Sequence, residues 1–491
     1  MAGVGFELKK LFSRQGLLAK VRAYGYSGII CTGPMLLGVL MQIGLKILAD
    51  FFGRSKFDQE LLVCMITYTL MASLLVTSIL SMVVTRFLSD MIYETQLTAI
   101  MPSFWGSTGM MLVIGGIVYG IFLCFSGATL MQGILCWVIF GELVVVWNAM
   151  SYLTAIKDYS NIWKSFVVAV IIVFGMTALG FALDFPTVTT VLLAVSIGYG
   201  VMMIWDVSIL YQGFPASAES AFLFLRWCDQ FSPLALTGLF TTLGMFGHLV
   251  IMWFGPLQVQ VKGLFVGAPS HDIPALLAFL TILVTTINFV VSVEVNFYPK
   301  YRNYYALFND KGGIEDILLA EKEMLIVLKS ELWYTGLKQL FTTGLAVSLG
   351  GVLLPMLPLG INDLMLGYFR VLCVGYGLYA IGNTVMLILL YFTDYVGAVC
   401  CTALFAASTM LFTLLSLLGD PVYFGFGFLL GSALFFLAAV LRMEWFTRRL
   451  PYFILSRQPV VAEEKSGVFT RMGEFLHKHL EEEPKWIDLR K

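Results

Sequence analysis

Residues 24–49, YGYSGIICTGPMLLGVLMQIGLKILA, form an apolar run that is long enough to cross a lipid bilayer as one helix. A basic, amphipathic segment precedes the run, and Gly33 and Pro34 interrupt it near the middle. Two explanations of the interruption stay open: a packing kink of the kind that membrane helices tolerate, or a functional hinge. In either case the run predicts a membrane protein and supplies its first span.

The composition of the whole chain supports the same class. The chain has 491 residues, of which 59% are hydrophobic and 12% are charged, and its mean hydropathy is +0.87. Soluble globular proteins carry roughly 25% charged residues, so this chain lacks the polar side chains needed to cover a water-facing surface. The net charge of −1 does not indicate a nucleic-acid partner. We therefore expect the chain to be embedded in the lipid bilayer.

The hydropathy pattern predicts an all-α polytopic membrane protein with about twelve transmembrane helices. Helices are expected because lipid offers no hydrogen-bond partners, and a helix satisfies its own backbone groups. The predicted spans are 24–49, 61–84, 104–125, 130–153, 165–183, 187–211, 231–254, 274–297, 333–354, 365–391, 395–418 and 422–444.

The distribution of Lys and Arg predicts the orientation of these spans. The N-terminal segment, the alternate loops that share its side and the C-terminal tail hold nearly all of the cations outside the spans. The loops on the opposite side hold Arg54, Lys56 and Lys262. Because cytoplasmic loops carry the excess of Lys and Arg, we predict that both termini are cytoplasmic.

The order of the spans suggests two six-helix halves, 1–211 and 231–446, joined by a polar cytoplasmic connector at 212–230. Segment 312–332 has a stripe of apolar residues and is predicted to be an amphipathic cytoplasmic helix. Residues 447–491 form a cytoplasmic tail. A weak internal repeat, Asn148 to Tyr159 and Asn383 to Tyr395, agrees with this division, which suits an alternating-access transporter.

Motifs of soluble enzymes are absent from the sequence. It contains no GxxxxGK[ST] phosphate loop, no HExxH zinc motif and no GxSxG nucleophile elbow. The four histidines are scattered along the chain, and the eight cysteines do not have metal-ligand spacing. We therefore expect no enzymatic activity, no cofactor and no metal site.

Ionisable residues inside the apolar runs are the candidates for function, because a charge in lipid is costly. Four of them, Glu142, Asp206, Glu294 and Arg370, lie within predicted spans. One interpretation places them along a polar path for a substrate or a proton. The other pairs Glu142 or Glu294 with Arg370 to stabilise the helix bundle.

Arg86 and Asp90 lie in the segment TRFLSDMIYE, just after the second span. Their spacing of four residues places them on one face of a helix, where they can pair. A local ion pair and a part in a cytoplasmic gate are both open interpretations.

The N-terminal segments MAGVGFELKKLF and RAYGYSGIICTGPMLLGVL, together with TRFLSDMIYE, resemble the Pel exopolysaccharide exporter family, PelG. The resemblance makes Arg86, Asp90 and Glu94 family-motif residues, and it includes the Gly33-Pro34 pair. It implies a flippase-like fold of the multidrug/oligosaccharidyl-lipid/polysaccharide superfamily in the bacterial inner membrane. It also implies export of a partly deacetylated amino-sugar polymer, with a cytoplasmic glycosyltransferase and other Pel membrane proteins as partners.

Other functions remain to be considered from the sequence. Within the transporters, the chain could be a lipid-linked oligosaccharide flippase or an ion-coupled exporter. A non-transporting scaffold could recruit a polysaccharide synthase through 298–332. A membrane enzyme acting on lipid-linked sugars is disfavoured, because the longest outer loop, 255–273, is short and offers only Lys262 and His271 as candidate groups.

Overall fold

The computed structural model describes residues 38–156, 159–217, 219–309, 312–356, 359–456 and 467–481. Eleven helical segments within these ranges are long and apolar enough to cross a membrane, and one of them, Pro269–Phe289, is made of two consecutive helices. They correspond in order to the second to twelfth predicted spans, which confirms the prediction of an all-α polytopic membrane protein.

The described helices are numbered here in chain order. They are 38–51 (α1), Lys56–Tyr93 (α2), Ile100–Phe125 (α3), Leu130–Ile156 (α4), Tyr159–Ala182 (α5), Thr187–Gly213 (α6), Leu225–Gln230 (α7), Ser232–Met252 (α8), Pro269–Phe279 (α9), Leu283–Val291 (α10), Tyr298–Asn309 (α11), Ile314–Leu353 (α12), Asp363–Tyr391 (α13), Tyr395–Ser416 (α14), Phe426–Thr447 (α15), Leu450–Ser456 (α16) and Val468–Leu476 (α17). A two-stranded hairpin, Val259–Lys262 (β1) and Phe265–Gly267 (β2), follows α8.

The first predicted span is described only in its second part, as helix α1. Gly33 and Pro34 lie outside the described residues, so the choice between a kink and a hinge stays open.

Two helices are longer than the spans predicted for them. Helix α2 runs without a break from Lys56 to Tyr93, so Arg86 and Asp90 lie on the same helix as the second span. Helix α12 has 40 residues, and it joins the predicted amphipathic segment 312–332 to the ninth span in one continuous helix. At 1.5 Å per residue it is about 60 Å long, twice the roughly 30 Å of a hydrocarbon core. Part of α12 therefore extends beyond the membrane.

The chain forms two compact units. The N-terminal unit comprises the described residues of Asp58–Thr242, Lys262–Leu264 and Ser456–Lys491. The C-terminal unit comprises the described residues of Met1–Phe57, Leu243–Val261 and Phe265–Leu455. The domain boundaries predicted from the sequence remain a prediction.

Small residues let the helices of the C-terminal unit approach closely, as is usual where lipid supplies no hydrophobic driving force between helices. Gly427 and Gly431 lie four residues apart on α15 and face Thr413 and Thr409, which have the same spacing on α14. A Cβ atom added at Gly427 would lie 2.5 Å from the Thr413 Cα, and one at Gly431 would lie 2.6 Å from the Thr409 Cα. These two glycines therefore set the distance between α14 and α15.

Candidate functional site

Glu142 lies near the middle of α4, in the N-terminal unit, and its side chain is half-buried. Its Oε1 atom accepts a hydrogen bond of 3.1 Å from the hydroxyl of Ser196 on α6. Its Oε2 atom is buried without a hydrogen-bond partner among the described residues. This carboxylate thus keeps one oxygen free to accept a further donor.

Asp206 is completely buried, also in the N-terminal unit. Its Oδ1 atom accepts a hydrogen bond of 2.8 Å from the Ser165 hydroxyl on α5, and its Oδ2 atom has no partner among the described residues. Ser196, which holds Glu142, lies ten residues before Asp206 on α6, a separation of about 15 Å along the helix. Glu142 and Asp206 therefore occupy separate sites.

The other two predicted path residues belong to the C-terminal unit. Glu294 lies in a π-helical segment, Ser292–Phe297, between α10 and α11, and its side chain is not among those described. Such π-helical turns occur frequently at functional sites. Arg370 lies on α13 with an exposed side chain next to Gly351 of α12. In the described part of the chain, Arg370 forms no ion pair.

A polar stripe connects α12 to α10 and to the π-helical segment in the C-terminal unit. Its residues are Thr285, Asn288, Ser292 and Asn296 on one side, and Glu331, Thr335, Lys338 and Gln339 on α12. Thr285 donates to Gln339 Oε1 (2.6 Å), Lys338 Nζ donates to Asn288 Oδ1 (2.5 Å) and Asn296 Nδ2 donates to Glu331 Oε1 (2.8 Å). Asn288 also donates to the Thr335 hydroxyl, and Ser292 donates to the other Glu331 oxygen.

The polar stripe holds two helices together, and it also presents groups at its edge. Thr285, Asn288, Ser292, Thr335 and Gln339 are buried between the helices, whereas Asn296 and Lys338 are exposed. Hydrogen bonds between membrane helices contribute about 0.6 kcal/mol each on average. The buried residues of the polar stripe therefore stabilise the packing of α12 against α10 and the π-helical segment.

The polar stripe was not predicted from the sequence, although the sequence contains a signal for it. Lys338 and Gln339 stand inside the apolar run of the ninth span, and the other members follow at spacings of three and four residues, which place them on one helical face.

The predicted Arg86–Asp90 pair is present at the end of α2. The Arg86 Nη2 atom lies 3.0 Å from the Asp90 Oδ1 atom, and the Arg86 guanidinium also lies 5.2 Å from the ring centre of Phe231. The indole of Trp227, on α7 in the predicted connector, donates to Asp90 Oδ2 at 2.9 Å. Asp90 therefore joins α2 to the connector as well as to Arg86. A part in gating stays a prediction.

Glu94, the third motif residue, lies just beyond α2 and is exposed. A second link to the connector comes from Thr98, whose hydroxyl donates to Glu219 Oε1 at 2.5 Å. The end of α2 and the segment that follows it are thus tied to the connector, at Asp90 and at Thr98 respectively.

Comparison with protein families decides the class of this chain. The model of a family described as "PelG: Putative exopolysaccharide Exporter (EPS-E)" matches residues 1–455. The chain belongs to the PelG family. As a member, it is a membrane transporter with multiple spans, and the resemblance found at the N-terminus and in TRFLSDMIYE extends over most of the chain. No curated protein matches it.

Solved structures of transporters have a fold similar to that of this chain. An inward-facing MATE family transporter of the MOP superfamily has a TM-score of 0.57 and 11% identity, with 93% of this chain and 99% of that chain covered. For a variant of the Vibrio cholerae MATE transporter VcmN, the TM-score is 0.60 and the identity 14%, with 88% and 99% covered. For a MOP superfamily transporter from Pyrococcus furiosus, the values are 0.54 and 13%, with 87% and 96% covered. The flippase-like fold is thereby confirmed.

Proposed function

We propose that this chain exports a Pel-like exopolysaccharide, a partly deacetylated amino-sugar polymer, across the bacterial inner membrane. The observation that carries the proposal is the PelG family match over residues 1–455. A cytoplasmic glycosyltransferase would make the polymer, and other Pel membrane proteins would complete the machinery. The chain itself would transport and would not catalyse a reaction.

The excess of Lys and Arg on one side of the spans supports an orientation with both termini in the cytoplasm. In this orientation, the connector and the end of α12 that begins at Ile314 face the cytoplasm, where the glycosyltransferase works. The growing polymer would enter from that side.

Carboxylates suit a polymer that carries free amino groups, because an ammonium group donates charge-assisted hydrogen bonds to a carboxylate. Glu142 is the group best placed for this role, since it is half-buried and one of its oxygens has no partner among the described residues. Asp206 is completely buried, so contact with a polymer would need a different conformation. Glu294 and Arg370 stay proposed path residues.

The test replaces Glu142 by Gln in cells that make the polymer. Glu142→Gln keeps the shape of the side chain and removes its charge. A hydrogen bond to a charged group is worth about 1.5–3 kcal/mol, so we expect secreted polymer to fall by about tenfold or more at an unchanged protein level. Glu444→Gln is the matched control, because Glu444 is an exposed residue of α15 that pairs with Arg448. Normal export by both Glu142→Gln and Glu294→Gln would contradict the proposed path.

A scaffolding function is the second candidate, and the length of α12 favours it. Near its start, α12 exposes Ile314, Leu318 and Leu319, and α11 packs against it through the Lys300–Glu323 pair. This helical pair is a suitable place for a synthase to dock. Sealed inverted vesicles that contain the chain and a synthase distinguish the two functions. A transporter would move the polymer into the vesicle lumen, whereas a scaffold would leave the polymer outside.

A further inference from the structure

Two of the histidines that are scattered in the sequence meet inside the C-terminal unit. His248 lies on α8 and His271 on α9, and each is 1% exposed. Their ring centres are 5.4 Å apart. Asp272 follows His271, and its Oδ1 atom lies 3.8 Å from the His271 Nδ1 atom. The three side chains form a histidine pair with an adjacent carboxylate, called here the His–His–Asp cluster.

The hydrogen bonds of the cluster are incomplete. His248 Nε2 lies 3.3 Å from the Tyr376 hydroxyl, and Asp272 Oδ2 accepts from the Trp253 indole at 2.9 Å and from the Ala268 amide at 3.0 Å. Three buried atoms have no hydrogen-bond partner among the described residues: His271 Nδ1, His271 Nε2 and Asp272 Oδ1. Each such atom costs about 1–3 kcal/mol of stability, so a site with purely structural importance would do better with apolar side chains.

The chemistry of these groups points to a proton as the ligand. Imidazole is the side chain that changes its charge near neutral pH. A proton on His271 would face the free Asp272 oxygen, and the carboxylate would offset its charge. A metal ion is a poorer fit, because no group of three or more His, Cys, Asp or Glu among the described residues is placed to hold one.

We propose that His248 and His271 form a proton-binding site, with Asp272 as the balancing charge, and that proton binding there drives the transport cycle. The first part stands on the cluster alone, and the second rests on the proposed export function. Proton binding at this place would make the energy source of export a proton gradient. In the proposed orientation, the cluster lies toward the extracytoplasmic end of the C-terminal unit, since α8 ends there at Met252 and α9 begins there.

The surroundings of the cluster contain few other titratable groups. Helix α13 contributes Tyr376 against His248 and Tyr368 against His271, with ring centres 6.2 Å and 5.8 Å away. Helix α15 contributes the apolar ring of Phe428, 4.3 Å from that of His248. Farther out, Cys373 and Tyr379 lie near Tyr376, and Asp420 lies near Tyr368. Asp272 is thus the carboxylate that adjoins His271, and two imidazoles this close should take up one proton rather than two.

The direct test is nuclear magnetic resonance of ¹⁵N-labelled histidines in the full chain in lipid nanodiscs. The chain has four histidines, so a His477→Gln, His479→Gln background leaves only the signals of the pair. We expect the ring nitrogens of the pair to report uptake of one proton between about pH 5 and pH 8. Rings that stay neutral and unchanged over this range would overturn the proton site.

A second variant separates proton binding from a loss of folding. Asp272→Asn keeps an oxygen that can accept from Trp253 and Ala268 but removes the negative charge. Loss of an adjacent opposite charge should move proton uptake to lower pH. Uptake at the same pH in Asp272→Asn would contradict the role of Asp272.

Coupling to transport is tested in inverted vesicles that hold the chain and a polysaccharide synthase. We expect collapse of the pH gradient to lower polymer uptake at least about tenfold, with Asp272→Asn shifting its pH dependence. Uptake that is the same with and without a gradient would overturn coupling and leave the export proposal intact. If no polymer enters at all, export fails as a proposal, whereas the resonance experiment still decides the proton site.

Discussion

Asp394 shows how a buried charge is accommodated in this chain. It is completely buried at the start of α14, and it accepts two hydrogen bonds from Arg442 on α15, from Nε at 2.7 Å and from Nη2 at 2.9 Å. It also caps α14 by accepting from the Gly397 amide at 3.3 Å. The guanidinium in turn lies 4.5 Å from the ring centre of Trp445. Asp394 therefore joins two helices of the C-terminal unit through one carboxylate.

Asp394→Ala should destabilise the protein by about 3 kcal/mol, because Arg442 would keep its partly buried charge without a partner. Thermal unfolding of the purified protein in detergent measures the loss. Glu444→Ala is the matched control. Glu444 lies on α15, as Arg442 does, and it pairs with Arg448 in a solvent-exposed position. Removal of this carboxylate should therefore change the free energy of unfolding by less than about 0.5 kcal/mol. Equal midpoints for the two variants would contradict this account.

Single residues could be predicted from the sequence where their partners are near in the chain. The pairing of Arg86 with Asp90 follows from their spacing of four residues. The pairing of Asp394 with Arg442 and the meeting of His248 with His271 could not be predicted, because each joins different helices. Periodicity predicts which face of a helix is apolar, but it does not say which helix packs against that face.

The close contact between α14 and α15 depends on the lack of a side chain at Gly431. Gly431→Ala should destabilise the protein by about 1–3 kcal/mol, since the new methyl group would overlap the backbone of Thr409 and push α14 and α15 apart. The thermal unfolding midpoint measures this effect.

Gly175→Ala is the control for that substitution. Gly175 lies inside α5, and an added Cβ atom would meet nothing within 4 Å. Alanine is a better helix former than glycine, by up to about 1 kcal/mol, so the midpoint should be unchanged or higher. A Gly431→Ala variant as stable as Gly175→Ala would show that α14 and α15 have room to spare.

The tail helix α17 is held by one side chain of the connector. Asp229 on α7 accepts hydrogen bonds from the Thr470 amide at 2.6 Å, the Thr470 hydroxyl at 2.7 Å and the Phe469 amide at 3.2 Å. Burial opposes the ionisation of Asp229, but the hydrogen bonds from Thr470 and Phe469 outweigh it and hold the pKa of this carboxyl below its usual value. Asp229 thus caps α17 in its ionised form.

This capping makes the docking of α17 dependent on pH. Because the docked pKa is lowered, ionised Asp229 stabilises docking fully above its undocked pKa of about 3.9, and the stabilisation is lost as the pH falls through the lower docked value. Docking should therefore be constant near neutral pH and weaken only in strong acid. Hydrogen exchange of the α17 amides at a series of pH values measures it.

Asp229→Asn should loosen α17 at neutral pH. A neutral amide accepts weaker hydrogen bonds than a carboxylate, so we expect exchange of the α17 amides to be about fivefold faster, a modest factor because the site is partly exposed to solvent. Glu474→Gln, on the same helix, should leave the exchange unchanged. Equal exchange in Asp229→Asn and the unchanged protein would show that Asp229 does not hold the tail.

Elements could be predicted well where hydropathy alone decides them. Eleven of the predicted spans have a helical counterpart of membrane-spanning length in the described residues, and the second part of the first span is helix α1. About 20 apolar residues suffice to identify a membrane helix. The sequence did not predict that 312–332 and the ninth span form one helix. The first segment is amphipathic and the second is apolar, and this change in composition suggests two separate elements. The docking of the tail helix α17 could not be predicted either, because its anchor at Asp229 lies in a distant part of the chain.

At the scale of the whole molecule, composition decided the class and a resemblance decided the family. The chain is too apolar for water, and the segments MAGVGFELKKLF and TRFLSDMIYE resembled PelG before the family match confirmed it. The substrate path could not be predicted to the same depth. Glu142 and Asp206 proved to lie at separate sites, and the polar stripe on α12 was overlooked because its members are mostly uncharged.

The most direct test of export uses sealed inverted membrane vesicles that contain this chain and a purified Pel-type glycosyltransferase, supplied with sugar nucleotides from outside. The measurement is the fraction of new polymer that is protected from an added hydrolase. We predict that polymer is protected in the lumen when the chain is present, and that protection is lost without the chain and strongly reduced with Glu142→Gln. Polymer that accumulates only outside the vesicles, at a normal rate of synthesis, would contradict the proposal that this chain transports it.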